Sequence, residues 1–168
     1  IKQAYNSELG NKLGNLLSRA GKFAATRFDG KIPTPGAMTD ADKAVRDATL
    51  EAAQGFARKI NMADIPALTQ GLIFALDKLN NYFAEQAPWD LIKKPETEER
   101  CRTVVYVTLD CLRLVLEAFW PVIPGSSEKA LAMLAHPLEP GSAWQARLDG
   151  LKAGTPLSWL AWAQASSP

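Results

Sequence analysis

One histidine, His136, and two cysteines, Cys101 and Cys111, are all the imidazole and thiolate ligands this chain could offer a metal. No paired Cys or His spacing links them, so a zinc site is not expected. The two cysteines lie ten residues apart in a stretch that reads as helix, or roughly 15 Å at the rise of a helix. A disulfide needs Cα atoms within about 7 Å. Two unpaired thiols suit a reducing compartment, which points to the cytosol. There is no run of about 20 apolar residues, so a membrane-spanning helix is not expected. The opening Ile-Lys-Gln-Ala-Tyr has neither an initiator methionine nor the apolar core of a signal peptide, and reads as the middle of a longer chain.

Catalytic signatures are missing too. There is no Gly-Lys-Ser phosphate loop and no Gly-x-Gly-x-x-Gly turn. A Ser or Cys nucleophile would have to use His136 as its base. That histidine precedes a proline at a helix end, where it reads better as a partner for the helix dipole. Glu98 and Glu99 sit on a charged helix start and read as solvated. The chain is a poor candidate for a self-contained enzyme. An excess of charge of one sign is also absent, the formal net charge being +1. Any nucleic-acid contact must then come from a local patch rather than a global field.

What is present is an ordinary globular composition, 168 residues with 47% hydrophobic and 22% charged, enough for one domain with a core. Without runs of alternating β-branched residues there is no reason to expect a sheet. The apolar residues Leu9, Leu13, Leu16, Leu17, Ala20 and Ala24 follow one helical face and predict a first helix from about residue 4 to Phe28. Gly10, Gly14 and Gly21 form a strip beside that face and suggest a close approach by another backbone, since glycine costs a helix roughly 1 kcal/mol against alanine. Asn11, Asn15, Arg19, Lys22 and Thr26 fill the remaining, solvent-facing stripe.

Residues 29–39 read as a loop on their glycine and proline content. Thr39 or Asp40 caps a second helix to about Ile60. Pro66 opens a third, with a seam of Ile65, Leu68, Leu72, Leu76, Leu79 and Phe83, and Pro88 ends it. A fourth, about Glu96 to Trp120, is apolar nearly all round and should be the central, buried one. Ser126 and Ser127 cap a fifth, and Trp144, Leu148 and Leu151 are expected packing residues beyond it. The fold class is therefore all-α, a bundle of about five helices over residues 1–152, with residues 153–168 as a C-terminal tail.

Two features suit recognition rather than catalysis. Asn15 and Arg19 lie four apart on one helix side, an amide and a guanidinium able to address the edge or phosphate of an unstacked base. Trp89 follows the helix-breaking Pro88 and should be held at a loop, where a fixed indole is a stacking platform for single-stranded RNA. The plainer readings are a solvated helix face and a capping core aromatic.

The residues themselves go further. Tyr5-Asn6-Ser7-Glu8-Leu9-Gly10-Asn11-Lys12-Leu13-Gly14-Asn15-Leu16-Leu17-Ser18-Arg19, followed by Arg27-Phe28-Asp29-Gly30-Lys31-Ile32-Pro33, resembles the helix that opens the anticodon-binding domain of methionyl-tRNA synthetases. Asn80-Asn81-Tyr82-Phe83-Ala84-Glu85-Gln86-Ala87-Pro88-Trp89 is similar to that family's Asn-x-Tyr-x-x-x-x-x-Pro-Trp block, and Phe119-Trp120-Pro121-Val122-Ile123-Pro124 to a third, weaker one. The resemblance implies the helical bundle of class Ia aminoacyl-tRNA synthetases. It also implies a tRNA(Met) anticodon loop as partner, with no DNA and no membrane. Asn15 and Arg19 would contact the cytosine of the CAU anticodon and Trp89 would stack on an anticodon base. Pro88 would fix the angle of Trp89, and Tyr82 would support that loop.

The family's catalytic domain, with its His-x-Gly-His-type and Lys-Met-Ser-Lys-Ser-type motifs, is absent from these residues. ATP, magnesium and the ligase reaction are therefore implied only for an intact protein in which that domain is the second partner. No cofactor is expected in this chain. The tail departs from the family, reading Pro156-Leu157-Ser158-Trp159-Leu160-Ala161-Trp162 where Pro-Leu-Phe-Pro-Arg-Ile is usual. Trp159, Leu160 and Trp162 either pack on the bundle or face the catalytic domain. The competing expectations are a free-standing helical RNA- or protein-interaction module and the anticodon domain of another class I synthetase.

Overall fold

A computed structural model describes residues 2–29, 32–59 and 65–119. Four long helices carry the architecture: α1 (Lys2–Arg27), α2 (Asp40–Lys59), α3 (Ile65–Gln86) and α5 (Glu98–Phe119). A one-turn helix, α4 (Pro88–Leu91), and a 3-10 turn at Pro95–Thr97 join α3 to α5. The all-α reading holds, and the element boundaries fall close to those expected from the periodicity. The predicted helix after Ser126, His136 and the aromatic tail with Trp144, Trp159 and Trp162 lie outside the described residues.

Each helix forms for a visible reason. The α1 residues Leu9, Leu13, Leu16, Leu17, Ala20 and Ala24 are all buried, while Asn11, Asn15, Arg19, Lys22 and Thr26 are all exposed. Alternation at helical spacing is what lays one face against a core. The start of α2 is a reciprocal cap. The Asp42 N–H donates to the Thr39 hydroxyl at 3.4 Å and the Thr39 N–H donates to the Asp42 carboxylate at 2.9 Å, so two orphan donors are satisfied. Leu72, Leu76, Leu79 and Phe83 make the buried seam of α3. From Cys101 to Leu116, α5 is buried at nearly every position.

Burial all round would be costly for the polar members of α5 unless each were bonded. Thr108 donates to the Val104 carbonyl at 2.8 Å, and Arg113 donates to Asp110 at 3.0 Å. Arg46 of α2 reaches the same carboxylate at 2.9 Å. Cys101 and Cys111 are both free and buried on α5.

The cross-helix bonds give the topology. Lys12 pairs with Asp77 and Arg19 with Asn80, so α1 and α3 run in the same sense. Asp42 pairs with Arg100 and Arg46 with Asp110, so α2 and α5 share the opposite sense. The result is an up-down-up-down bundle in which α3 and α5 each pack on both α1 and α2, which scarcely touch one another. Residues 32–39 cross the start of α5, where the Gly36 N–H donates to the Thr103 hydroxyl at 2.8 Å. One end of the bundle thus collects the end of α1, the start of α2, the α3–α4 corner and the start of α5.

The glycine strip is corrected by the coordinates. A Cβ added to Gly10 or Gly14 would meet nothing within 4 Å, so among the described residues no backbone approaches there. Gly21 alone of the three is buried.

Candidate functional site

The site forms where α3 runs out. Its last regular residue is Gln86, and the Ala87 N–H still reaches the Phe83 carbonyl at 3.2 Å. Ala87 itself turns left-handed, with φ 46° and ψ 65°. That conformation costs an L-residue roughly 1–2 kcal/mol, and it is further disfavoured before a proline. The reversal places Pro88 at the first position of α4, where its missing N–H costs nothing. Trp89 is therefore held on a one-turn helix rather than on a loop, a correction to the sequence reading.

The corner is tied down from beneath. Pro88 is buried, and its carbonyl accepts from the Ile92 N–H at 3.0 Å and from the Cys101 thiol at 3.3 Å. Burial pushes the Cys101 thiol up to about 11, so at neutral pH it keeps the proton that this bond requires. Burial likewise pushes Cys111 up to about 12, which removes both thiols from nucleophilic chemistry.

Tyr82 lies inside, only 6% exposed. Its hydroxyl donates to Asp42, and Arg100 grips the same carboxylate, with one bond of 2.7 Å, while also donating to Gln86 at 2.9 Å. Burial and the neighbouring Asp42 charge push the Tyr82 hydroxyl well above its ordinary value, so it stays protonated and donating. For Asp42, burial alone would raise the carboxyl. Its donors, Arg100 first and then Tyr82 and the Thr39 N–H, outweigh that and hold it below the usual carboxylate value. This cluster locks α2, the end of α3 and the start of α5 together.

On the outside the arrangement is different. Trp89 is 41% exposed. Its ring meets that of Phe83 edge-on, the centroids 5.8 Å apart and the planes at 68°. The Arg19 guanidinium lies over the Phe83 ring, 5.3 Å from its centroid, and donates to the Asn80 side-chain oxygen at 3.0 Å. Arg19 and Trp89, both exposed, therefore each contact the buried Phe83 ring. Asn15 is exposed one helical turn before Arg19 on α1.

The sequence reading thus named an exposed set, Asn15, Arg19 and Trp89, and two residues beneath it, Pro88 and Tyr82. Neither Pro88 nor Tyr82 presents a free face to a partner. Asn80 and Phe83 were missed as site residues. Phe83 was assigned to the apolar seam, and it does belong there, being 2% exposed. Asn80 gave no signal beyond its place in the second sequence block.

Chemically, the surface offers an indole face, a guanidinium held on neutral supports and an amide, which are the parts needed to receive a splayed-out base. Among the described residues no cluster of His, Cys, Asp and Glu could hold a metal ion. Nor is any described helix long and apolar enough to cross a membrane.

Comparison with known proteins follows the same line. No family model matches the chain. It is 40% identical over 153 residues to the methionine–tRNA ligase of Brucella melitensis, covering 90% of this chain and 29% of that protein. The ligase of Mesorhizobium japonicum is 39% identical over 135 residues, covering 80% and 26%. The apo crystal structure of Mycobacterium tuberculosis methionyl-tRNA synthetase superposes with a TM-score of 0.82 at 30% identity, covering 91% of this chain and 31% of that one. The chain thus spans about three-tenths of the length of the relatives it matches.

Proposed function

Because this chain belongs, over 90% of its length, to the methionine–tRNA ligase family, we propose that it is the helical domain with which such a ligase reads the CAU anticodon of tRNA(Met). The observation that carries this is the Arg19–Phe83–Trp89 chain of contacts, a guanidinium 5.3 Å from the centroid of a buried ring that in turn meets an exposed indole edge-on. An everted cytosine stacks on Trp89. Arg19 donates to its O2 and N3 acceptors, and the Asn15 side-chain oxygen accepts from its N4 amino group. A uracil presents the opposite polarity at N3 and C4 and leaves both side chains mismatched, a discrimination worth about 1–3 kcal/mol. Stacking contributes roughly 1–3 kcal/mol per base and is indifferent to which base it is, so selectivity resides in the polar pair. Pro88 and Tyr82 act from below, the one fixing the corner and the other anchoring the end of α3.

Methionine activation with ATP and magnesium, and transfer to tRNA, belong in this reading to the catalytic part of the intact cytosolic protein. This chain supplies recognition and no catalytic group. The test is titration of the chain with a CAU hairpin and with a hairpin of permuted anticodon. The CAU hairpin should bind more tightly. Trp89→Ala should weaken it by at least about 1 kcal/mol and leave the melting curve in place. Unchanged affinity with unchanged melting removes Trp89 from the site.

A further inference from the structure

Side chains clasp α1 to α3 twice, and the two clasps differ in charge. Lys12 meets the Asp77 carboxylate at 2.7 Å. About one turn further along α3, Arg19 donates through Nη1 to the Asn80 side-chain oxygen at 3.0 Å. The accepting atom must be that oxygen, because a guanidinium only donates. Arg46, Arg100, Arg102 and Arg113 each hold a carboxylate at 3.4 Å or closer, and Arg19 holds none among the described residues. Its second support is the buried Phe83 ring, whose centroid lies 5.3 Å from the guanidinium carbon.

An oxygen at one terminus and a ring beneath the plane are enough to orient a flat cation. Among the described residues Nε and Nη2 make no hydrogen bond, so the edge they form keeps two parallel donors for a ligand. If the clasp served only to hold α1 on α3, a carboxylate at position 80 would grip Arg19 more strongly, as Asp77 grips Lys12. The amide gives up that strength and leaves the charge uncancelled.

We propose that Asn80 is a positioning residue of the RNA site, holding Nη1 of Arg19 against the Phe83 ring so that the Nε–Nη2 edge faces the ligand, without itself touching the base. This rests on the anticodon reading for the identity of that ligand. A cytosine presents two adjacent acceptors, O2 and N3, to such an edge, whereas a uracil carries a proton on N3. The choice between them then depends on a residue that acts only through Arg19.

The test has one arm without RNA and one with it, both on the full 168-residue chain. In NMR spectra of isotope-labelled arginine, the Arg19 side-chain signals should be displaced upfield by the Phe83 ring. In Asn80→Ala they should return towards the position of an unstructured arginine while the melting curve stays in place. With RNA, Asn80→Ala should cut the preference for a CAU over a UAU hairpin by about fivefold, the share of one solvent-facing hydrogen bond. Made in an Arg19→Ala background, the same substitution should cost nothing further. Asn80→Asp should keep the upfield signals and still bind the CAU hairpin about fivefold more weakly, because an ion pair replaces a free charge. Unmoved Arg19 signals in Asn80→Ala overturn the proposal. So do an undiminished CAU preference in that variant, a further loss in the Arg19→Ala background, and wild-type affinity in Asn80→Asp. If the Arg19 signals move but the wild-type chain does not prefer CAU, or binds neither hairpin, the positioning of Arg19 stands and the anticodon reading fails.

Discussion

Replacing Asp42 with alanine removes one carboxylate and strands three donors at once. In the folded chain that carboxylate is fully buried and accepts from Tyr82, from Arg100 and from the Thr39 N–H. Removing one member of a buried ion pair costs about 3–5 kcal/mol, because the other charge is left without compensation. The Arg100 side chain is 22% exposed and retains Gln86, so partial hydration brings the expected loss to the low end, about 3 kcal/mol. At roughly 2–4 °C per kcal/mol for a chain of this size, the midpoint should fall by about 6–12 °C.

Thermal unfolding followed by far-ultraviolet circular dichroism reads this directly, and acidification adds an independent check. A carboxyl held below its ordinary value when folded contributes stability that is fully present above the unfolded value. That contribution is lost as pH falls through the folded one. The gap in midpoint between wild type and Asp42→Asn should therefore be constant from neutral pH down to about 4 and close below it. A fall of less than about 2 °C for Asp42→Ala, or a gap that widens in acid, would refute the hub.

Two smaller substitutions probe the helices themselves. Gly10→Ala places a methyl where nothing lies within 4 Å among the described residues, so it should stabilise α1 by about 1 kcal/mol and raise the melting midpoint. The Thr69 hydroxyl is buried without a hydrogen-bond partner among the described residues. Thr69→Val keeps the shape and removes the desolvation cost, so denaturant titration should show a gain of roughly 1 kcal/mol.

How much of this was legible depended on whether a residue's role follows from its own helix. The α1 stripe and the burial of α5 follow from periodicity alone, and both are found as expected. Asn15, Arg19 and Trp89 are exposed, as their polar stripe and the proline before the indole led one to expect, and Arg19 and Trp89 each contact Phe83. The Asp42 hub could not be read that way. Thr39-x-x-Asp42 looks like a helix cap, and it is one, but nothing local says that the same carboxylate also binds Arg100 and Tyr82 from two other helices. Ala87 was invisible for a related reason. A left-handed alanine before proline contradicts local preference, and only the packing of Pro88 and Cys101 beneath it sustains the turn. Gly10 and Gly14 show the reverse error, a glycine pattern read as a close contact where none exists among the described residues.

Phe83 and the two arginines show why the site sits at this end of the bundle. Phe83 is the last member of a core seam, so one edge of its ring belongs to the interior while its face and rim meet Arg19 and Trp89. A core residue at a helix end is a support for whatever lies just outside. Arg100 and Arg19 bind the same end of α3, through Gln86 and Asn80 respectively, yet their electrostatic states are opposite. Arg100 is neutralised by Asp42 and serves the fold. Arg19 rests on an amide oxygen and an aromatic face, supports that orient a guanidinium without cancelling its charge. In the proposed reading an incoming base meets a positioned cation with no carboxylate partner among the described residues, and a carboxylate in place of Asn80 would remove that advantage while leaving the bundle intact.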